Sequence, residues 1–135
     1  MEDRERRVIV ANRLARFGEE LKYSRLLINE GAYRIATSRL YYAIFTLATA
    51  ALLTRDILRH KHAGVLAAFN QFLVKPGFIE PEYGRIFHES FKARQEADYS
   101  DSGEFTEEET KRMLKNAERF GRRIEEYLRN EGFTD

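Results

Sequence analysis

The stretch Ser38-Arg39-Leu40-Tyr41-Tyr42-Ala43-Ile44-Phe45-Thr46-Leu47 lies within a segment, Tyr33 to about Arg55, that reads as one helix apolar on nearly every side. A helix of that kind must be covered all round. Its uncharged run, Leu40 to Leu53, has 14 residues, short of the ~20 that span a bilayer, so it reads as a buried core helix and no membrane association is expected. A bundle of four or five helices drawn from so short a chain rarely encloses one member completely. A homodimer that buries the remaining face is therefore expected.

Working outward, Leu14, Phe17, Leu21, Ser24 and Ile28 recur at helical spacing between Glu2 and Glu30, and Gly31 supplies a stop. A shorter helix is expected over Ala63 to Leu73, ended by the turn chemistry of Lys75-Pro76-Gly77. A fourth starts near Pro81 and carries Tyr83, Phe87 and Phe91 toward Ala97, with Asp98 to Phe105 expected as loop. Thr106 with Glu109 forms a capping box for a fifth, striped with Met113, Ala117, Phe120, Ile124 and Tyr127. No strand-like alternation and no internal repeat occurs. The expected fold is all-α, an antiparallel up-and-down bundle of about five helices forming one domain over residues 1–135.

The 135 residues suffice for one core but not two. With 23 Lys and Arg against 22 Asp and Glu, the net charge of +1 excludes a strong overall field, so any basic surface is local. Arginines outnumber lysines 17 to 6, a bias that suits planar recognition of phosphate or carboxylate, or simply follows genome composition. The absence of Cys excludes disulfides, thiolate metal sites and Cys nucleophiles. The charged start, Met1 to Arg7, lacks the apolar core of a signal peptide, so a cytoplasmic location is expected.

Most site chemistries fail on spacing. The residues three before His60, His62 and His88 are Ile57, Arg59 and Arg85, not the Glu of a di-iron bundle, and no His-Glu-x-x-His motif occurs. Asp98, Asp101 and Glu104 do not follow a calcium-loop pattern, no glycine-rich phosphate loop exists, and no serine stands in a nucleophile elbow. No metal and no cofactor is expected.

One constellation survives. Tyr83, Phe87 and Phe91 share a helical face that continues into Arg94 and Asp98, carrying an arginine to a position where the period points inward. Such a cation needs a partner or a cavity. It reads either as an intrahelical pair with Asp98, although a cation N-terminal to its anion is the weaker orientation, or as a functional group. Tyr99 follows directly. On the second helix Arg39 precedes Tyr41 and Tyr42, and aromatics interleaved with arginine stack bases and hold phosphates, or else serve as core with hydroxyls at a polar edge. His62 opens the third helix, as a surface residue or a site residue.

These blocks together, Ser38 to Phe45, Lys61-His62-Ala63-Gly64-Val65, Phe72-Val74-Lys75 and Arg94-Gln95-Glu96-Ala97-Asp98-Tyr99, resemble the HEPN family over nearly the whole chain, most of all its small stand-alone prokaryotic members. The resemblance implies a homodimeric helical bundle paired with a minimal nucleotidyltransferase in a toxin-antitoxin module, with the HEPN partner as toxin. Active members are metal-independent ribonucleases. An Arg followed after four to six residues by His is contributed by both subunits to a cleft at the dimer interface. Arg stabilises the phosphorane and His transfers protons during attack by the ribose 2′-hydroxyl.

The matching arginine is Arg94, yet no histidine follows it as far as Thr106. Arg55 and His60 have the right spacing at the end of the second helix, away from the family's position, where 17 arginines make about one such hit expected by chance. Proton transfer would then fall to Asp98, Tyr99 or a histidine from elsewhere. His62 is a better choice than His88, which lies about 120° round the helix from Arg94. The alternative implied is a non-catalytic partner of the nucleotidyltransferase that binds nucleotide or RNA through Arg39, Tyr42 and Arg94, with Tyr99 as an acceptor of adenylyl groups. A third reading treats Arg94, Asp98 and Tyr99 as a hydrogen-bonded lock at the dimer interface.

Overall fold

Gly31, left-handed at φ 77°, reverses the chain between two long helices, α1 (Asp3–Asn29) and α2 (Tyr33–Leu53). The computed structural model describes residues 1–135 and contains three further helices, α3 (His62–Phe69), α4 (Pro81–Tyr99) and α5 (Glu107–Asn130), with no strand. Cross-helix bonds fix the directions. Glu20 meets Arg39 while Arg6 reaches the Thr54 carbonyl, so α1 and α2 are antiparallel. Arg34 bonds the Ala97 carbonyl and Arg94 bonds Tyr42, so α2 and α4 are antiparallel too. Arg119 and Arg123 pair with Glu82 and Glu80, which sets α5 against α4. The result is an up-and-down bundle of α1, α2, α4 and α5, with α3 laid across it.

The apolar stripes read from sequence become one core of 25 buried residues, and α2 supplies more of them than any other helix. No residue from Ala36 to Arg55 is exposed. Buried residues run round most of α2, while Tyr42, Phe45, Thr46 and Thr49 on one face are only half-buried. By length and composition α2 is the one helix apolar enough to cross a membrane, but most of it is packed inside this core.

Thr106 caps α5 as its sequence indicates, its hydroxyl accepting the Glu109 N–H at 3.1 Å. Two boundaries differ from expectation. The third helix begins at His62 and leaves α geometry after Phe69, continuing as a π-helical turn, Asn70–Val74, in which the Lys75 N–H reaches the Asn70 carbonyl at 2.8 Å. This turn brings the Asn70 side chain against Gly84 of α4, where a Cβ would collide with it. Asp98 and Tyr99 are not loop but the last turn of α4. Arg34 holds that turn, donating to the carbonyls of Ala97 at 3.0 Å and Ser100 at 3.2 Å while stacking on Phe105. A cation at a helix C-terminus satisfies carbonyls that lack intrahelical donors.

Candidate functional site

Because α2 and α4 are antiparallel, residues ascending one meet residues descending the other: Ser38 with Asp98, then Tyr42 with Arg94. The Arg94 side chain is only 11% exposed, and its Nε lies 2.7 Å from Asp98 Oδ2. That nitrogen makes no aligned hydrogen bond, so Asp98 acts on it chiefly as a neighbouring charge. Nη2 donates weakly to the Tyr42 hydroxyl at 3.4 Å. The guanidinium carbon stands 5.7 Å from the ring centres of Tyr41 and Tyr42 and 5.6 Å from that of Tyr99. Three aromatic faces thus hold a nearly buried cation.

Asp98 is fixed in turn, since Ser38 Oγ donates to its Oδ1 at 2.6 Å. Arg39 stacks over Tyr42 at 5.1 Å and faces Glu20 at 3.4 Å. Tyr99 is 74% exposed, the largest exposed aromatic beside this cluster.

His62 enters from the start of α3. Its Nδ1 lies 2.7 Å from the Tyr41 hydroxyl, and its ring packs 4.7 Å from Phe45 and 6.3 Å from Tyr42. Burial, reinforced by the charge of Arg94, lowers its pKa below the ordinary histidine value. Burial pushes the Tyr41 hydroxyl well up, so it keeps its proton. Both groups are then neutral near pH 7. With Nδ1–H donating to Tyr41, Nε2 carries the lone pair of a base; with the polarity reversed, Nε2–H is a hydrogen-bond donor.

All six residues singled out from the sequence, Arg39, Tyr42, His62, Arg94, Asp98 and Tyr99, fall in this one region. His88 is exposed on α4. Arg55 stacks on Phe78 at 3.8 Å and bonds Tyr127 and Glu131, a tie between the end of α2 and α5 rather than a partner for His60. No group of three His, Cys, Asp or Glu side chains stands at metal-binding spacing. Sequence reasoning missed Tyr41 as the residue that orients His62, and also Ser38, Arg34 and Glu20. Those contacts span 19 to 66 positions, and no local pattern announces them.

Comparison with known proteins gives a consistent answer. The HEPN domain model matches residues 13–127. A Methanocaldococcus jannaschii protein named "Putative toxin" is 41% identical over 111 residues, covering 82% of each chain. A Thermotoga maritima protein named as a UPF0332 protein is 36% identical over 128 residues, 95% of this chain and 96% of its own. A second M. jannaschii protein with the "Putative toxin" name is 34% identical over 110 residues, 82% of this chain and 75% of its own.

Proposed function

The chain belongs to the HEPN family, and from that premise we propose that it is the toxin of a HEPN and minimal-nucleotidyltransferase pair, a cytoplasmic, homodimeric ribonuclease that needs no metal. The observation that carries this reading is the presence of His62 in the aromatic cluster that holds Arg94. No histidine follows Arg94, but His62, on another helix, packs against the same tyrosines that surround Arg94.

The chemistry follows from these groups. His62 accepts the proton of a ribose 2′-hydroxyl, whose oxygen attacks the adjacent phosphorus. Charge gathers on the non-bridging oxygens, and the Arg94 guanidinium, held by Asp98 and the tyrosines, stabilises it. The bond from phosphorus to the 5′-oxygen breaks, that oxygen takes up a proton from water, the proton held by His62 passes to solvent, and a 2′,3′-cyclic phosphate remains. Tyr99 and Tyr42 offer faces for the flanking bases, and Arg39 lies beside them for a neighbouring phosphate.

Incubating the protein with mixed RNA and tRNA pools in the presence of EDTA tests this. Cleavage leaving cyclic phosphate ends is expected, reduced by ~10²–10³ in Arg94→Ala. Equal inertness of both folded proteins overturns the ribonuclease reading.

The exposure of Tyr99 favours a second reading, in which the protein is a non-catalytic RNA- or nucleotide-binding partner and Tyr99 accepts adenylyl groups from the nucleotidyltransferase. Mass spectrometry after co-expression checks it: an adduct on Tyr99, absent in Tyr99→Phe, is the expected result, and an unmodified tyrosine removes it.

A further inference from the structure

Between α1, α2 and the loop after α2 lies a cavity of about 190 Å³, lined in part by Phe45, that the ribonuclease chemistry does not use. Arg13 and Arg16 of α1, Arg59 and His60 of the loop after α2, and Thr46 and Thr49 of α2 supply its polar lining.

None of these three arginines belongs to an ion pair, as holds for ten of the chain's 17 arginines, and Arg59 donates one N–H to the Leu58 carbonyl at 2.8 Å. Glu20, the acid nearest along that face of α1, already faces Arg39. Burial, and after it the neighbouring charge of Arg16, disfavour the charged form of Arg13. Thr49 gives its hydroxyl proton to the Thr46 carbonyl, but the Thr46 hydroxyl has no partner within the chain and remains a donor. Three guanidinium groups without a carboxylate partner and a free hydroxyl donor, lining a concave pocket, form a receptor for a compact oxyanion.

The pocket and the Arg94 cluster share one face of α2: Tyr42, Phe45, Thr46 and Thr49 follow at helical spacing. Tyr42 to Thr49 spans ~10 Å by helical rise, a distance covered by a few nucleotides, whose charges recur every ~3.4 Å along a stacked strand. We propose that Arg13, Arg16, Arg59 and Thr46 form a second phosphate subsite, which holds a backbone phosphate of the same RNA strand a few nucleotides from the one Arg94 acts on. This inference rests on the ribonuclease reading and adds where the strand runs: along the α1–α2 groove toward the loop after α2.

Arg16 and Arg59 are exposed, so replacing both leaves the core untouched. Binding of a fluorescein-labelled, uncleavable 2′-O-methyl RNA of about 12 nucleotides is measured by anisotropy across a salt series. The wild type is compared with Arg16→Gln/Arg59→Gln, with a charge-matched control, Lys115→Gln/Arg122→Gln, on exposed positions of α5, and with Arg94→Ala. Loss of the one phosphate contact is expected to lower the slope of log K against log salt by about 0.7 in the first variant, while the control keeps the wild-type slope.

An equal change in both double variants overturns the subsite, since bulk charge then explains it. An unchanged slope overturns it as well, and if Arg94→Ala has still lost cleavage of ordinary RNA, the ribonuclease reading stands without it. An unchanged slope with an altered mass in solution assigns the arginines to a second copy of the chain instead. Absence of both RNA binding and cleavage in the wild type removes both inferences.

Discussion

His62 links fold and chemistry through one proton. The unfolded chain's imidazole titrates near 6.5 and the folded one below that, because burial and then Arg94 disfavour the cation. Between those two values the unfolded state binds more protons, so stability falls as pH drops through that window and is fully present above 6.5. Urea unfolding should show this decline, and His62→Gln should remove it. Cleavage should follow the same group: the rate rises with pH through a midpoint below 6.5 where the imidazole loses its charge. His62→Gln should be slower by ~10²-fold or more and lack that midpoint. A pH–rate profile with an unchanged midpoint in the variant assigns proton transfer to another group. Tyr41→Phe keeps the ring packing of Tyr41 with Phe45, Phe87 and Phe91 but frees the imidazole. It should therefore retain the fold and lose part of the rate, since orientation of the imidazole and not packing is what it removes.

The helices themselves were legible because their signals are local. Phe17, Leu21 and Ile28 announce α1, and Thr106 with Glu109 announces α5, through spacings of three and four that any helix must respect. Thr106→Ala should cost about 1 kcal/mol in urea unfolding, the usual worth of an N-cap. What was not legible depends on contacts between elements. The π-helical turn at Asn70–Val74 answers to Gly84 on α4, fourteen residues beyond Asn70, and nothing in Asn70-Gln71-Phe72 shows it. Gly121 is similar: inside α5 it resembles a weak point, yet a Cβ there would enter the Phe17 ring of α1, so the glycine sets how closely the two helices approach. Gly121→Ala should destabilise by ~1–3 kcal/mol, as overpacking does, and a smaller loss would mean that the Phe17 ring rotates away freely. The sequence predicts loop where the last turn of α4 stands, because its stabilising donor, Arg34, is 63 positions from the carbonyl of Ala97. Arg34→Ala should fray that turn, raising amide exchange at residues 97–100 and slowing cleavage, while global stability changes little.

At the scale of the molecule, the position of His62 bears on how two copies share the work. The family resemblance implies a cleft built from both subunits, in which arginine and histidine need not come from the same chain. Here the two sit around the same tyrosines within one chain: Arg94 faces the rings of Tyr41 and Tyr42, and His62 bonds the Tyr41 hydroxyl. Each protomer of the proposed dimer then carries a complete pair, and the second copy contributes substrate-binding surface rather than the missing catalytic group. This arrangement predicts the outcome of mixing two inactive proteins, Arg94→Ala and His62→Gln, after exchange of subunits. If each site draws both groups from one chain, every site in every mixed dimer lacks one of them, and no activity returns. If a site draws Arg94 from one subunit and His62 from the other, mixed dimers contain one intact site and cleavage reappears. The intrachain geometry predicts no recovery, read as cyclic-phosphate release after refolding the two variants together, with wild type refolded in parallel to show that the procedure preserves activity. Recovery would show that the histidine acts across the interface and that its contact with Tyr41 holds it in reserve for the partner's arginine.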